Sequence, residues 1–252
     1  YLGLHVVERG VIFVDLSLAQ IAALGAAVAF LMGFKLHGPI AYSISLGFTF
    51  IGAALFAITR FKSSKIPQEA IIGIVYAVSG ALAIVIMDRL PEGADHIKHL
   101  LVGNLLAVSA YDVVKTALLY CLIGVLHWLW RKPFLLISTN PEEAMRQGYD
   151  VPLCDFIFYA SFGFVVTSSV SMAGVLLVFS YLIVPSVVAM MLSDNILTRL
   201  IIGWLTGTVV SLAGMIVSYR WDAPTGASII CTFGFALLVV SVLRYIVLKL
   251  SR

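Results

Sequence analysis

Eight stretches of this chain each run for about twenty residues with hardly a charge, and that repeated length fixes the fold class before any motif is read. They lie at 11–33, 40–59, 68–87, 111–130, 153–168, 172–191, 197–218 and 227–248. An α-helix rises 1.5 Å per residue, so ~20 residues cross a hydrocarbon core of ~30 Å. In lipid, a spanning segment must satisfy its own backbone polar groups, which leaves helices or a closed barrel. Segments this long and this continuously apolar are helices. The expectation is an all-α, polytopic membrane protein with about eight or nine membrane helices. Composition agrees: 61% of the residues are hydrophobic and 12% are charged, against about 25% charged in soluble domains.

The chain reads as one transmembrane domain over 1–252. It does not start with Met, and Tyr1–Val7 resembles the end of a membrane helix, so most of one helix is expected upstream. The segment 94–108 is apolar but too short to cross, which fits a re-entrant or interfacial piece. The fifth and sixth spans are short and separated by TSSVS, which predicts a broken helix there.

Orientation follows from Lys and Arg in the loops. One side holds Arg9, Arg60, Lys62, Lys65, Arg131, Lys132, Arg146, Arg199, Arg244, Lys249 and Arg252. The other holds Lys35, Arg89, Lys98, Lys115 and Arg220. The richer side is cytoplasmic. It carries the polar island 138–150, STNPEEAMRQGYD, which reads as a short, tightly delimited helix. Asn140 is a good N-cap, Pro141 fits the first helical position, and Glu143 completes a capping-box pattern. Glu142 and Glu143 sit at the positive end of the helix dipole, and Gly148 supplies a left-handed stop. A helix of about seven residues does not hold by itself in water. It is either a capped loop or a surface on which a cytoplasmic partner docks.

A charge at mid-bilayer costs about 2.5–3.5 kcal/mol on insertion scales, so each one asks for a reason. Asp15 is the main candidate, either as an interfacial carboxylate close to Arg9 or as part of a polar path. Ser17 and Gln20 share a helix face and either line that path or hydrogen-bond a neighbouring helix. Asp95, His96 and His99 form the most metal-like cluster, read as either an ion contact or a solvated loop. Asp112, three residues after Ser109, fits a helix cap, and His127 reads as an interfacial residue of an aromatic belt. Gly203 and Gly207, one turn apart, allow close helix approach, and Pro185 should kink its span. Cys121, Cys154 and Cys231 form no spaced pair, so neither a disulfide framework nor a zinc ribbon is expected.

The sequence contains no GxxxxGK[ST] loop, no HExxH and no GxSxG, so nothing points to an enzyme, and this chain is not expected to hydrolyse nucleotide. A net charge of +3 does not suggest a nucleic-acid partner.

Six stretches, in order, resemble the membrane permease of metal-type ABC importers, the class serving zinc, manganese and iron. They are ERGVIFVDLSLAQIAALGAAVA, QEAIIGIVYAVSGALAI, HLLVGNLLAVSAYDV, NPEEAMRQGYDVP, GVLLVFSYLIVPSVVA and DAPTGASII. The resemblance implies a multi-pass protein of the bacterial cytoplasmic membrane that works as a homodimer. It implies an ATP-binding partner subunit, which uses the ATP, and an extracytoplasmic binding protein. Glu142, Ala144 and Gly148 match the family's coupling helix, which docks on the ATPase, and Glu143 lies among them. No cofactor is expected on this chain, and the cargo implied is a divalent metal ion. One departure stands out. The family usually places an Asp and a His four apart, and those positions are Leu16 and Gln20 here. Leu16 cannot ligate, and an amide is a poor zinc or manganese ligand. A permease for another small solute or a metal complex therefore remains the alternative, with a stand-alone secondary transporter behind it.

Overall fold

The computed structural model describes residues 1–35, 38–60, 66–89, 103 and 105–250. Over these residues the helices, in order, are α1 (Leu2–Glu8), α2 (Val14–Leu31), α3 (Pro39–Thr59), α4 (Gln68–Asp88), α5 (Ala110–Leu129), α6 (Arg131–Thr139), α7 (Pro141–Arg146), α8 (Val151–Ala173), α9 (Val175–Leu192), α10 (Ile196–Trp221) and α11 (Thr225–Leu250). Eight of them, α2 to α5 and α8 to α11, are long and apolar enough to span a membrane. The protein is an all-α, multi-pass membrane protein.

The helices differ most in what covers them. α2 carries apolar residues on every side, with Asp15, Ser17 and Gln20 near its start, and 72% of its span is buried in the protein. It packs on α3, α4, α8 and α9. A helix that is hydrophobic on all sides belongs at the centre of a bundle. Its small residues Ala19, Ala22, Ala23, Gly25, Ala26 and Ala27 let neighbours come close. A Cβ on Gly25 would stand 2.7 Å from the Ser45 Cα of α3, so only glycine fits that crossing. At the periphery, α5 and α10 are 11% and 17% buried and display Leu118, Leu122, Trp204 and Val209. Such continuous apolar surface is suited to lipid.

The expected break between the fifth and sixth spans lies elsewhere. α8 runs on through TSSVS to Ala173, and the chain turns at Gly174. The hydroxyls of that run stay within the helix: Ser168 donates to the Val165 carbonyl at 3.3 Å and Ser171 to that of Ser168 at 2.8 Å. Gly174 has φ 78 and ψ 160, a region open essentially to glycine. Gly103 rests on this elbow, since a Cβ there would meet the Gly174 nitrogen at 2.5 Å. Of the segment expected to be re-entrant, the described part Leu105–Ala107 is a single 3-10 turn, and the rest falls largely outside the described residues.

Local signals held well. Ser109 and Asp112 form a complete capping box at the start of α5. Gly203 and Gly207 of α10 face Pro185 of α9. His127, expected at the lipid interface, instead turns inward and is 3% exposed. Its Nε2 lies 2.8 Å from Ser161 Oγ, while Trp128 next to it points outward. Adjacent residues on a helix are 100° apart, so the aromatic belt passes by the histidine.

Candidate translocation path and coupling surface

The polar island takes in the last two residues of α6 and the whole of α7. Asn140 caps α7, its Oδ1 accepting from the Glu143 amide at 3.1 Å. The capping box stays half made, because the Asn140 amide already donates to Leu136 of α6 at 2.7 Å. The Glu143 carboxylate turns outward and accepts from Gln147 at 3.0 Å. Gly148 closes the helix at φ 85, donating to Met145 at 3.0 Å. Ala144 is fully buried in the main core, in the same cluster as Val151, Cys154 and Phe158. It seats the helix on the bundle and lies off the outward face. Glu142, Met145 and Arg146 form that face.

Directly behind α7 lies a buried ionic cluster. Asp155, in the second turn of α8, is 0% exposed and accepts from two arginines. Arg9, from the corner between α1 and α2, reaches its Oδ1 at 2.7 Å. Arg60, at the end of α3, reaches Oδ2 at 2.6 Å and also bonds the Ile137 carbonyl of α6 at 3.2 Å. Arg9 Nε donates to Ser138 Oγ at 2.8 Å, and its guanidinium stacks 4.0 Å from the Phe158 centroid. The Ser138 hydroxyl donates to the Phe134 carbonyl, so His5, 2.8 Å away, donates to it from Nδ1. Arg9 thus pairs with Asp155, not with Asp15 as its sequence proximity suggested. Asp155 is an acid four residues into an apolar helix, and that is the signal that could have singled it out.

The α2 candidates are placed differently. Asp15 is 1% exposed, with Oδ1 accepting from the Leu16 amide at 2.7 Å and Oδ2 buried without a partner. Ser17 is 0% exposed and its hydroxyl is likewise unpartnered. Gln20 is 8% exposed, and its Oε1 lies 3.5 Å from where a Cβ on Gly80 of α4 would be. Leu16 packs in the core. Glu69, at the start of α4, joins this group. One of its oxygens accepts from the Phe13 amide at 3.0 Å, and the other is buried and free. It lies within electrostatic reach of Asp15. Sequence reasoning passed over Glu69 because it stands at the mouth of its span. Among the described residues, no three His, Cys, Asp or Glu side chains converge to hold an ion. Asp95, His96 and His99 lie outside the described residues.

Comparison with known proteins agrees with this architecture. The chain is 30% identical over 169 residues to a Haemophilus influenzae membrane protein assigned to an iron transport system, covering 67% of this chain and 62% of that one. It is 25% identical over 236 residues to the Listeria monocytogenes manganese transport system membrane protein MntC, covering 91% and 79%. The chain therefore spans less than two thirds of the length of the Haemophilus relative. The solved structure of PsaBC from Streptococcus pneumoniae in complex with a Fab superposes with a TM-score of 0.78 at 22% identity, over 95% of this chain and 84% of that one, and so shares its fold. Residues 1–244 match the ABC 3 transport family, and the chain belongs to that family.

Proposed function

We propose that this chain is the membrane permease subunit of an ATP-driven importer and that its cargo is a divalent metal ion. Two copies would form the transporter, each taking one ATP-binding subunit on the face of α7. An extracytoplasmic binding protein would deliver the ion. The relatives named for manganese and iron transport support the cargo class. The donors of the α2–α4 seam support it too. Carboxylate, hydroxyl and amide are oxygen donors, which suit manganese better than the imidazole and thiolate sites suited to zinc. Asp15 and Ser17 are enclosed within one chain, so a path between two copies reaches them only when the helices packed on α2 shift. The Leu16 and Gln20 departure favours a second reading, in which the cargo is a metal complex and needs no chelating pair.

The observation that carries the proposal is α7. It is a six-residue helix, capped at both ends and seated by Ala144, and it presents Glu142, Met145 and Arg146 outward. The test is Glu142→Arg combined with Met145→Glu, which inverts that face without touching the seat. Recovery of the ATPase subunit with the purified permease should fall at least about tenfold, the size expected when an interface anchor is lost. Manganese uptake by cells should fall with it. Full recovery and full uptake in the double variant would remove the docking role.

A further inference from the structure

The cluster around Asp155 joins parts of the protein that the proposed mechanism needs to move together. Ile137 and Ser138, its contacts on α6, immediately precede Thr139 and Asn140, and Asn140 caps α7. Arg60 terminates α3. Arg9 opens a tight corner into α2, in which Val11 donates to the Val6 carbonyl at 3.2 Å and Val14 to that of Val11 at 3.0 Å. The Phe13 amide in that corner is held by Glu69 of α4. The line from α7 to α2, α3 and α4 is therefore a run of directed bonds with no long loop in it.

Apolar packing is non-directional and lets helices slide across one another. Charge-assisted bonds are directional and fix position. Two arginines, one buried and one 11% exposed, on a buried carboxylate are poor stabilisers compared with an apolar core of equal volume, so their use at this point calls for a role in geometry. Removing the charges from water is costly, yet Arg9 and Asp155 are 1% and 0% exposed. Glu8, beside Arg9, reaches the other way and pairs with Arg199 of α10 at 2.6 Å. The α1–α2 corner is thus tied to α6, α8 and α10.

We propose that Asp155, gripped by Arg9 and Arg60, is a positioning residue that carries displacement of α7 to α2 and α3, and so links ATP hydrolysis in the partner to opening of the α2–α4 seam. This rests on the docking reading of α7. Motion of α7 pulls α6, the clamp pulls Arg9 and Arg60 with it, and the corner at Val11–Val14 turns the inner end of α2. Without the carboxylate, α7 keeps its seat through Ala144, but its motion no longer reaches α2.

The experiment uses the full permease–ATPase complex in proteoliposomes and reads manganese ions moved per ATP hydrolysed. Asp155→Asn keeps the shape and removes the charge. Asp155→Glu keeps the charge. Arg60→Gln leaves a complete Arg9–Asp155 pair, so it tests the idea in a folded protein even if Asp155→Asn does not assemble. The ratio should fall about tenfold in Asp155→Asn and about threefold in Arg60→Gln, a coupling loss of the usual allosteric size. Asp155→Glu should recover at least half of it, while the ATPase subunit co-purifies at the wild-type level in all three. An unchanged ratio in Arg60→Gln, or loss of the ATPase subunit from the three variants, overturns the proposal, the second result making the cluster a mere support for the docking surface. The Glu142→Arg, Met145→Glu protein is run alongside. If it still binds the ATPase fully, the docking reading has failed by itself, whatever the clamp variants show.

Discussion

The protein holds two polar systems, one around Asp155 and one on α2, and they are built on opposite principles. Around Asp155 both carboxylate oxygens meet guanidinium groups, and the arginines bond on to Ser138 and to a helix-end carbonyl. On α2, Asp15 has one oxygen on a backbone amide and one on nothing, and Ser17 has no partner at all. Both acids are essentially unexposed, so burial does not separate them. The pairing of the carboxylate does, although Arg9 Nη2 and His5 Nε2 beside Asp155 are themselves buried without a partner. A carboxylate bonded on both oxygens to arginines from other helices keeps those helices in register. A carboxylate left with a free oxygen in a membrane interior has capacity for something that comes and goes, such as water or an ion.

The sharpest way to break this contrast is to delete each acid. Asp155→Ala would take away the carboxylate against which the Arg9 guanidinium is buried, and losses of that kind are about 3–5 kcal/mol. Asp15→Asn keeps the shape of a side chain that faces no counter-charge and supplies a donor at the oxygen that has no partner. Its effect on stability should be within about 1 kcal/mol, of either sign. Thermal unfolding of the purified permease in one detergent reads both. Comparable losses from the two substitutions would show that the distinction between the two carboxylates is empty.

The next effect concerns transport. Gln20→Leu removes the amide that faces Gly80 across the α2–α4 seam while keeping the volume. Manganese uptake should drop about tenfold, equivalent to ~1.4 kcal/mol on a barrier, with little change in unfolding temperature. The complementary change is Leu16→Asp with Gln20→His, which puts a carboxylate and an imidazole four apart on one helix face. That pair should give the isolated permease measurable zinc or manganese binding by calorimetry. Uptake untouched by Gln20→Leu would move the path off this face of α2.

The two systems also differ in how far the sequence announced them. The eight spans and the capped helix could be read because their signals are local: apolar length, Asn140, Pro141 and Gly148 lie within the elements they define. Asp15, Ser17 and Gln20 were visible as polar residues in an apolar run, although their lack of partners was not. The clamp was hidden because its bonds span 146 and 95 residues. Arg9 and Arg60 looked like ordinary members of a cytoplasmic basic set, and Asp155 like a polar residue near a helix start. Composition near Arg9 even offered a false partner in Asp15. The turn at Gly174 was misplaced for a related reason. Serines and threonines look like a loop in a linear pattern, but in lipid their hydroxyls bond back to their own helix.

The smallest expected effect tests whether α7 belongs with the fixed system or with the mobile one. Asn140 is its N-cap, and a cap residue replaced by alanine costs about 1 kcal/mol. For a helix of six residues, that is enough to shift its population in the free permease, because so short a segment has almost no stability of its own. The Asn140 amide would still donate to Leu136, so α6 and the clamp behind it should be unaffected. Asn140→Ala should therefore leave the unfolding temperature nearly unchanged and raise hydrogen exchange at the amides of 142–146. It should weaken ATPase binding by up to about fivefold, since ordering the helix then draws on the binding energy. If exchange rises equally over 131–139, α6 and α7 form one cooperative unit. The clamp would then hold the docking helix directly, and the division between a rigid anchor and a mobile docking element would have to be drawn at Trp130 instead of at Asn140.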